Sequence, residues 1–185
     1  MLNLGIEKED IIKIKGSKFM YGWIFLALIG GVAACIFLVI HGLKFNSSYS
    51  LFYLGGGITC LPFFLYITLW TLPGFIPGKT LLTIVRGENG SIESKKGKVS
   101  IKNIRNIDLV RNPFNLINDI VIETFDNRVI KIRTYNLLDD LLYQMTVDKY
   151  IYPYMAENSK KVWDRKVNLD ELKETAKYER VEQKT

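Results

Sequence analysis

The residues capable of chemistry are few and scattered. The chain has one histidine, His41, at the end of an uncharged stretch. It is therefore not placed to complete a Ser-His-Asp or Cys-His nucleophilic site. The adjacent Asp139 and Asp140 suggest an acid–base pair, but helix neighbours point about 100° apart. Negative charge at the first turn of a helix is the simpler role for them. Cys35 and Cys60 both lie in apolar runs, without zinc-ligand spacing or a disulfide framework. Gly87, Gly90 and Gly97 fit turns, and no Walker or dinucleotide pattern surrounds them. The expectation is a protein that is not an enzyme and uses no cofactor and no metal.

Charge is segregated. Of 44 charged side chains among 185 residues, only eight lie in residues 1–78. A uniform globular fold does not produce that pattern, and 48% hydrophobic residues exclude a disordered chain. Residues 19–43 and 45–78 carry no acidic residue, lysine or arginine except Lys44 between them. About 20 apolar residues suffice to cross a bilayer. The pattern predicts one span over 19–40 and a second over 50–72, with Pro62 inside the second and Pro73, Gly74, Pro77 and Gly78 closing it. A buried hairpin in a soluble protein is the competing reading. Lys8, Lys13, Lys15 and Lys18 precede the first span, Lys79 and Arg86 follow the second, and the connecting loop has Lys44 alone. The positive-inside rule then puts both termini in the cytoplasm. Tyr21, Trp23 and Trp70 fit an aromatic belt at that inner interface. Val32, Ala33, Ala34 and Cys35 loosely resemble a lipoprotein cleavage box. The apolar run continues through Ile36–Ile40, however, so the segment reads as a retained span.

Small residues show where the helices could meet. Gly30 and Ala34 form a small-xxx-small pair, and Gly55, Gly56 and Gly57 lie on the returning helix. They could pack the hairpin internally, or serve a homo-oligomer or a partner's helix. No ionisable residue marks an ion path through the spans.

Beyond Lys79 the pattern turns to short strands. Residues 80–86, 91–94, 98–102, 119–125 and 129–133 are β-rich or alternate with period two, and Val99 and Ile101 share a buried face. Asn89 with Gly90, Lys96 with Gly97, and Asp126 with Asn127 mark turns. Together they predict one antiparallel meander of five to six strands. A helix should follow with Asn136 as N-cap and an apolar stripe of Leu138, Leu141, Leu142 and Met145 over the sheet. Asn168 opens a charged helix to about Glu182 whose thin apolar face (Leu169, Leu172, Ala176) predicts a loosely attached tail. The domains are thus an N-terminal arm (1–18), a two-helix hairpin (19–78), a cytoplasmic domain (79–153) and a charged helical tail (154–185).

An α+β chain of this order, a helical hairpin and then an antiparallel sheet closed by a C-terminal amphipathic helix, resembles bacterial pleckstrin-homology-like domains on small membrane proteins. The likeness covers about 80–152 and rests on element order. The whole chain is similar to an uncharacterised family of small bacterial two-span membrane proteins. The carrying residues are Phe19-Met20-Tyr21-Gly22-Trp23, Leu69-Trp70-Thr71-Leu72-Pro73-Gly74, Arg111-Asn112-Pro113-Phe114-Asn115-Leu116-Ile117-Asn118-Asp119 and Tyr135-Asn136-Leu137-Leu138-Asp139-Asp140. The resemblance implies an architecture and a bacterial plasma membrane, and no activity.

Function must therefore come from surfaces. From 79 to 136 eleven Lys and Arg face six Asp and Glu, and an anionic leaflet attracts such charge. Lys79, Lys95, Lys96, Lys98, Lys102, Arg105 and Arg111 are the candidate lipid-facing residues. Phe114, Leu116 and Ile117, set among polar residues, form a candidate partner loop, and Trp163 with the C-terminal helix a second surface. Nucleic acid is not an expected partner, because no aromatic residues interleave with a basic stripe. The leading expectation is a membrane-anchored binding or scaffold module for a membrane-associated protein. The alternatives are an anionic-lipid-sensing regulator and a membrane protein that neutralises a membrane-active toxin.

Overall fold

The computed structural model describes residues 4–8, 10–76 and 78–180. Two long helices, α1 (Lys18–Leu43) and α2 (Ser50–Thr71), form an antiparallel hairpin. Both are apolar around their whole circumference, so neither has a polar face to give to water. Only 11% and 6% of their apolar windows are buried within the protein. A soluble core hairpin would bury most of that surface, so these are candidate membrane spans. Pro62 sits inside α2 without ending it. The hydroxyls of Thr68 and Thr71 donate to the carbonyls of Phe64 (2.7 Å) and Ile67 (2.9 Å) on the same helix, satisfying groups that lipid could not.

Among the described residues, eight strands follow the hairpin or precede it. A five-stranded antiparallel sheet has the order β1 (Leu4–Lys8), β2 (Ile11–Lys15), β3 (Thr80–Val85), β4 (Ser91–Ser94) and β5 (Gly97–Ser100). A second sheet holds β6 (Ile104–Arg111), β7 (Asn118–Thr124) and β8 (Val129–Arg133). Two expectations are corrected here. Residues 11–15, expected as part of an N-terminal arm, are a strand of the sheet: β2 pairs with β3, Ile14 opposite Leu82 and Ile12 opposite Ile84. The single meander is two sheets, because a 3-10 turn at Ile101–Asn103 breaks the ladder. Val99 and Ile101 are both buried as the alternation predicts, but Ile101 belongs to that turn.

One hydrophobic cluster joins both sheets. It takes Ile12, Ile14 and Ile84 from the first, and Ile104, Ile120 and Ile122 from the second. Helix α3 (Asp140–Tyr150) contributes Tyr143, Val147 and Tyr150, and α4 (Glu157–Asp164) contributes Trp163. The N-cap of α3 is Asp139, whose side chain accepts the Leu142 N–H at 2.7 Å. Asn136 instead adopts a left-handed φ of 57°. Of the expected stripe, Leu138 and Met145 are buried and half-buried Leu142 packs against the core, while Leu141 is half-buried; Tyr143 and Val147 complete the buried face. Helix α4 is amphipathic, with Ser159 and Trp163 buried one turn apart on the face toward the core. Its Trp163 is buried and is therefore not a surface for a partner. Helix α5 (Leu169–Ala176) starts at the expected cap: Asn168 Oδ1 accepts the Glu171 N–H at 3.1 Å. The tail is docked rather than loose, with Leu172 1% exposed.

Candidate functional site at the helix–sheet junction

The start of α1 and the end of α2 are stitched to one end of the sheets. Before α1, the Ser17 N–H donates to the Leu137 carbonyl at 2.8 Å, and Gly16 lies so close to Leu137 and Tyr21 that a Cβ there would collide with both. After α2, the chain makes a short 3-10 turn, Leu72–Phe75. Gly74 abuts the Tyr135 side chain, which a Cβ would meet at 2.6 Å. The Lys79 ammonium sits 3.8 Å from the centre of the Tyr135 ring and donates to the Pro73 carbonyl. Arg133, at the end of β8, lies over Trp70 at 5.0 Å. Its guanidinium is also 3.7 Å from Asp119 on β7. Cation–π contacts of this kind contribute about 0.5–1 kcal/mol each where exposed.

Strand register sorts the candidate basic residues by position. Thr83 lies opposite Glu93, and Lys15 opposite Thr80. The Lys95–Lys96 turn therefore falls at the end of the first sheet that the helices enter. Arg111 lies opposite Asn118, and Asp119 opposite Arg133, which puts exposed Arg111 at the same end of the second sheet. Lys102 and Arg105 belong to the far end, with the 3-10 turn and the start of β6. Arg105 is engaged there by Glu123 at 3.2 Å, and Lys98 is paired with Glu93 at 2.7 Å. Lys79, Lys95, Lys96 and Arg111 thus share an end of the domain, while Lys102 and Arg105 do not.

The 112–117 loop is a structured tip. The Phe114 N–H donates to Asn112 Oδ1 at 2.9 Å, and the Ile117 N–H to Asn115 Oδ1 at 3.0 Å. Asn136 spans the gap from the next segment, donating to the Leu116 carbonyl at 2.9 Å and accepting the Asn118 N–H at 2.7 Å. Ile117 is fully buried and Leu116 half-buried, whereas Phe114 is 83% exposed. Of the three apolar loop residues, Phe114 is the one that stands clear of the chain, and Leu116 is only partly accessible.

Within the hairpin, the close approaches differ from the expected set. Gly57 packs against Val39 and the Cys35 carbonyl, Gly31 against Phe64, and Gly42 against the Leu54 backbone. Gly30, Gly55 and Gly56 face open space, and Ala34 is exposed. Gly57 alone of the expected residues packs the two helices together.

His41 stacks on Phe37 with ring centres 4.1 Å apart, at the end of α1 remote from the sheets. Asp139 caps α3, and Asp140 accepts from Gln144 at 2.6 Å. Among the described residues no three His, Cys, Asp or Glu side chains are placed to hold a metal. One charged cluster escaped sequence reasoning. Asp148 of α3 is buried and accepts from Trp163 Nε1 at 2.9 Å, the Tyr178 hydroxyl at 3.0 Å and the Arg180 guanidinium. Arg180 also reaches Asp164 at 2.6 Å and covers the Tyr152 ring at 4.0 Å. Burial alone would favour loss of the Arg180 proton, but hydrogen bonds to both carboxylates outweigh it and raise its pKa. The cluster's members come from three separate segments, so no local motif announces it.

A family model described as a family of unknown function, DUF5381, matches residues 10–173. The chain is 31% identical over 163 residues to a Bacillus subtilis protein named uncharacterized lipoprotein YfjD, covering 85% of this chain and 88% of that one. It is 30% identical over 128 residues to the uncharacterized protein YfjE of the same organism, covering 66% and 84% respectively. No solved structure gives a significant match.

Proposed function

The chain belongs to the DUF5381 family, whose function is unknown, and on that premise we propose that it is a membrane-anchored, non-enzymatic scaffold. In this reading α1 and α2 span the bacterial plasma membrane with both termini cytoplasmic. The two sheets and α3 form a pleckstrin-homology-like unit held at the inner surface for a membrane-associated protein partner. The pairing of β2 with β3 carries the proposal. Those strands flank the hairpin on either side, so a hairpin that spans must leave both flanks on one face of the membrane. The lysines around those flanks make that face the cytoplasmic one. Strand β8 is an edge of its sheet, with Val129 exposed, and offers backbone groups to an extended partner segment.

The lipoprotein name of one relative bears on Cys35. Cleavage before this residue would remove β2, an interior strand of the five-stranded sheet, together with Ile12 and Ile14, which are 1% and 2% exposed. Cys35 also lies within continuous α1, where its carbonyl faces Gly57. Retention of the whole first helix is the reading that keeps the sheet intact.

Topology reporters test the proposal. Alkaline phosphatase fused after Thr185 should be inactive and a fluorescent protein there bright, while phosphatase inserted at Ser47 should be active. Photo-crosslinking from position 129 in native membranes should give a discrete protein adduct. An active phosphatase after Thr185 would overturn the topology, and crosslinks to lipid alone would overturn the scaffold role.

A further inference from the structure

We propose that the β6–β7 tip is a third membrane contact, with Phe114 inserted into the interfacial region of the leaflet that the inner ends of α1 and α2 enter. This rests on the reading of α1 and α2 as membrane spans. Phe114 is the most exposed large hydrophobic residue among those described, at 83%, and the next two, Phe52 and Phe19, lie on the hairpin helices. Water is a poor solvent for a phenyl ring held in the open, yet the fold holds it there. Asn112, Asn115 and Asn136 hydrogen-bond the loop backbone from both sides.

Continuity with the helix ends identifies the occupant. The tip follows Arg111 and precedes Asn118, whose carbonyl accepts from the Thr134 N–H at 3.1 Å and from the Thr134 hydroxyl at 2.6 Å. The segment beginning at Arg133 is the one that touches the inner ends of the helices, through Trp70, Gly74 and Ser17. The tip thus shares an end of the domain with the aromatic residue expected at the interface. Charge agrees. Arg111 flanks the tip exposed, and Lys79 and Arg133 lie along the same junction. The acidic groups there are engaged: Asp119 lies beside Arg133, Asp139 caps α3, and Asp140 binds Gln144. An aromatic residue beside arginine suits the boundary between anionic headgroups and acyl chains.

The test uses full-length protein in nanodiscs containing phosphatidylglycerol. Cys35→Ala and Cys60→Ala remove the native thiols, and nitroxide labels are placed singly through Phe114→Cys, Leu65→Cys on α2 and Asn127→Cys at the far turn. Collision with oxygen and with a nickel chelate reports depth. The label at 65 should be deep, that at 127 in water, and that at 114 about 5 Å below the phosphates. A label at 114 as accessible to nickel as that at 127, with 65 deep, would overturn the proposal and leave the spans intact. A label at 65 open to nickel would instead overturn the spanning reading. Shielding of 114 from both oxygen and nickel would mean a protein contact and also overturn the proposal. Should the thiol-free background fail to fold, benzoylphenylalanine at position 114 in the native background supplies the same decision. Phospholipid adducts by mass spectrometry support insertion, and adducts to a second copy or to none overturn it.

Discussion

Arg180 reaches back 32 residues to grip Asp148, a carboxylate with no solvent-exposed side-chain surface. The contact converts a charged C-terminal segment into part of the folded domain. Trp163 and Tyr178 complete the shell around the same carboxylate.

Arg180→Ala should therefore destabilise the domain by about 3 kcal/mol, because removing one partner leaves a buried charge behind. Denaturant unfolding of the full-length protein in detergent measures this. Asp148→Asn added to that variant should recover part of the loss, since an amide carries no charge to strand. Additive losses in the double variant would refute the pairing.

Alkaline pH should loosen the same cluster. Burial first, then the Asp148 charge and the hydrogen bond to it, raise the Tyr178 pKa above the ordinary 10.0. The folded state keeps a proton that the unfolded chain releases near pH 10. The stability linked to this proton is present below pH 10 and lost as pH climbs from there toward the folded value. Tyr143, buried at the core and raised chiefly by desolvation, acts with the same sign. Tyr178→Phe should lower stability at neutral pH and reduce, without abolishing, the fall seen on comparing unfolding at about pH 8 and about pH 11. An unchanged fall would show that Tyr178 does not contribute.

The helix hairpin should distinguish one glycine from its neighbours. A Cβ at Gly57 would stand 2.7 Å from Val39 Cγ2 and 2.9 Å from the Cys35 carbonyl oxygen, while Gly56 meets nothing within 4 Å. Gly57→Val should force the helices apart and cost about 1–3 kcal/mol, read as a lowered melting temperature in detergent. Gly56→Val should leave that temperature nearly unchanged. Equal effects would mean that the helices cross elsewhere.

Strand β2 should prove part of the core despite preceding the hairpin. Ile14→Ala should cost about 2–4 kcal/mol, whereas Lys13→Ala, one residue away on the exposed face, should stay within about 0.5 kcal/mol. Limited proteolysis of the two variants compares them directly, and a silent Ile14→Ala would separate β2 from the domain.

Much of the local structure could be read without coordinates. Uninterrupted apolar composition announces α1 and α2 within a few residues of their ends, since a run of that length without charge is visible in the chain itself. The Asn168–Glu171 cap and the turn at Asn127, with its φ of 61°, are likewise local and were legible. The basic residue types of the junction were legible too. Their arrangement was not, because whether a lysine lies near the helices or at the far end depends on strand register, as Lys96 and Lys102 show. Asn136 is a good cap by type, yet the fold spends its amide on bridging Leu116 and Asn118.

What composition and short-range pattern determined by themselves is the division into an apolar hairpin and a polar α+β unit, because segregation of charge is a property of the chain before it folds. Tertiary structure alone decided that Ile14 meets Leu82 across the whole hairpin, that Asp148 collects Trp163, Tyr178 and Arg180, and that Phe114 shares an end of the domain with Trp70. These are non-local choices, settled by competition among buried surfaces and hydrogen-bond partners far apart in sequence. No window of a few residues contains the partners between which that competition is run.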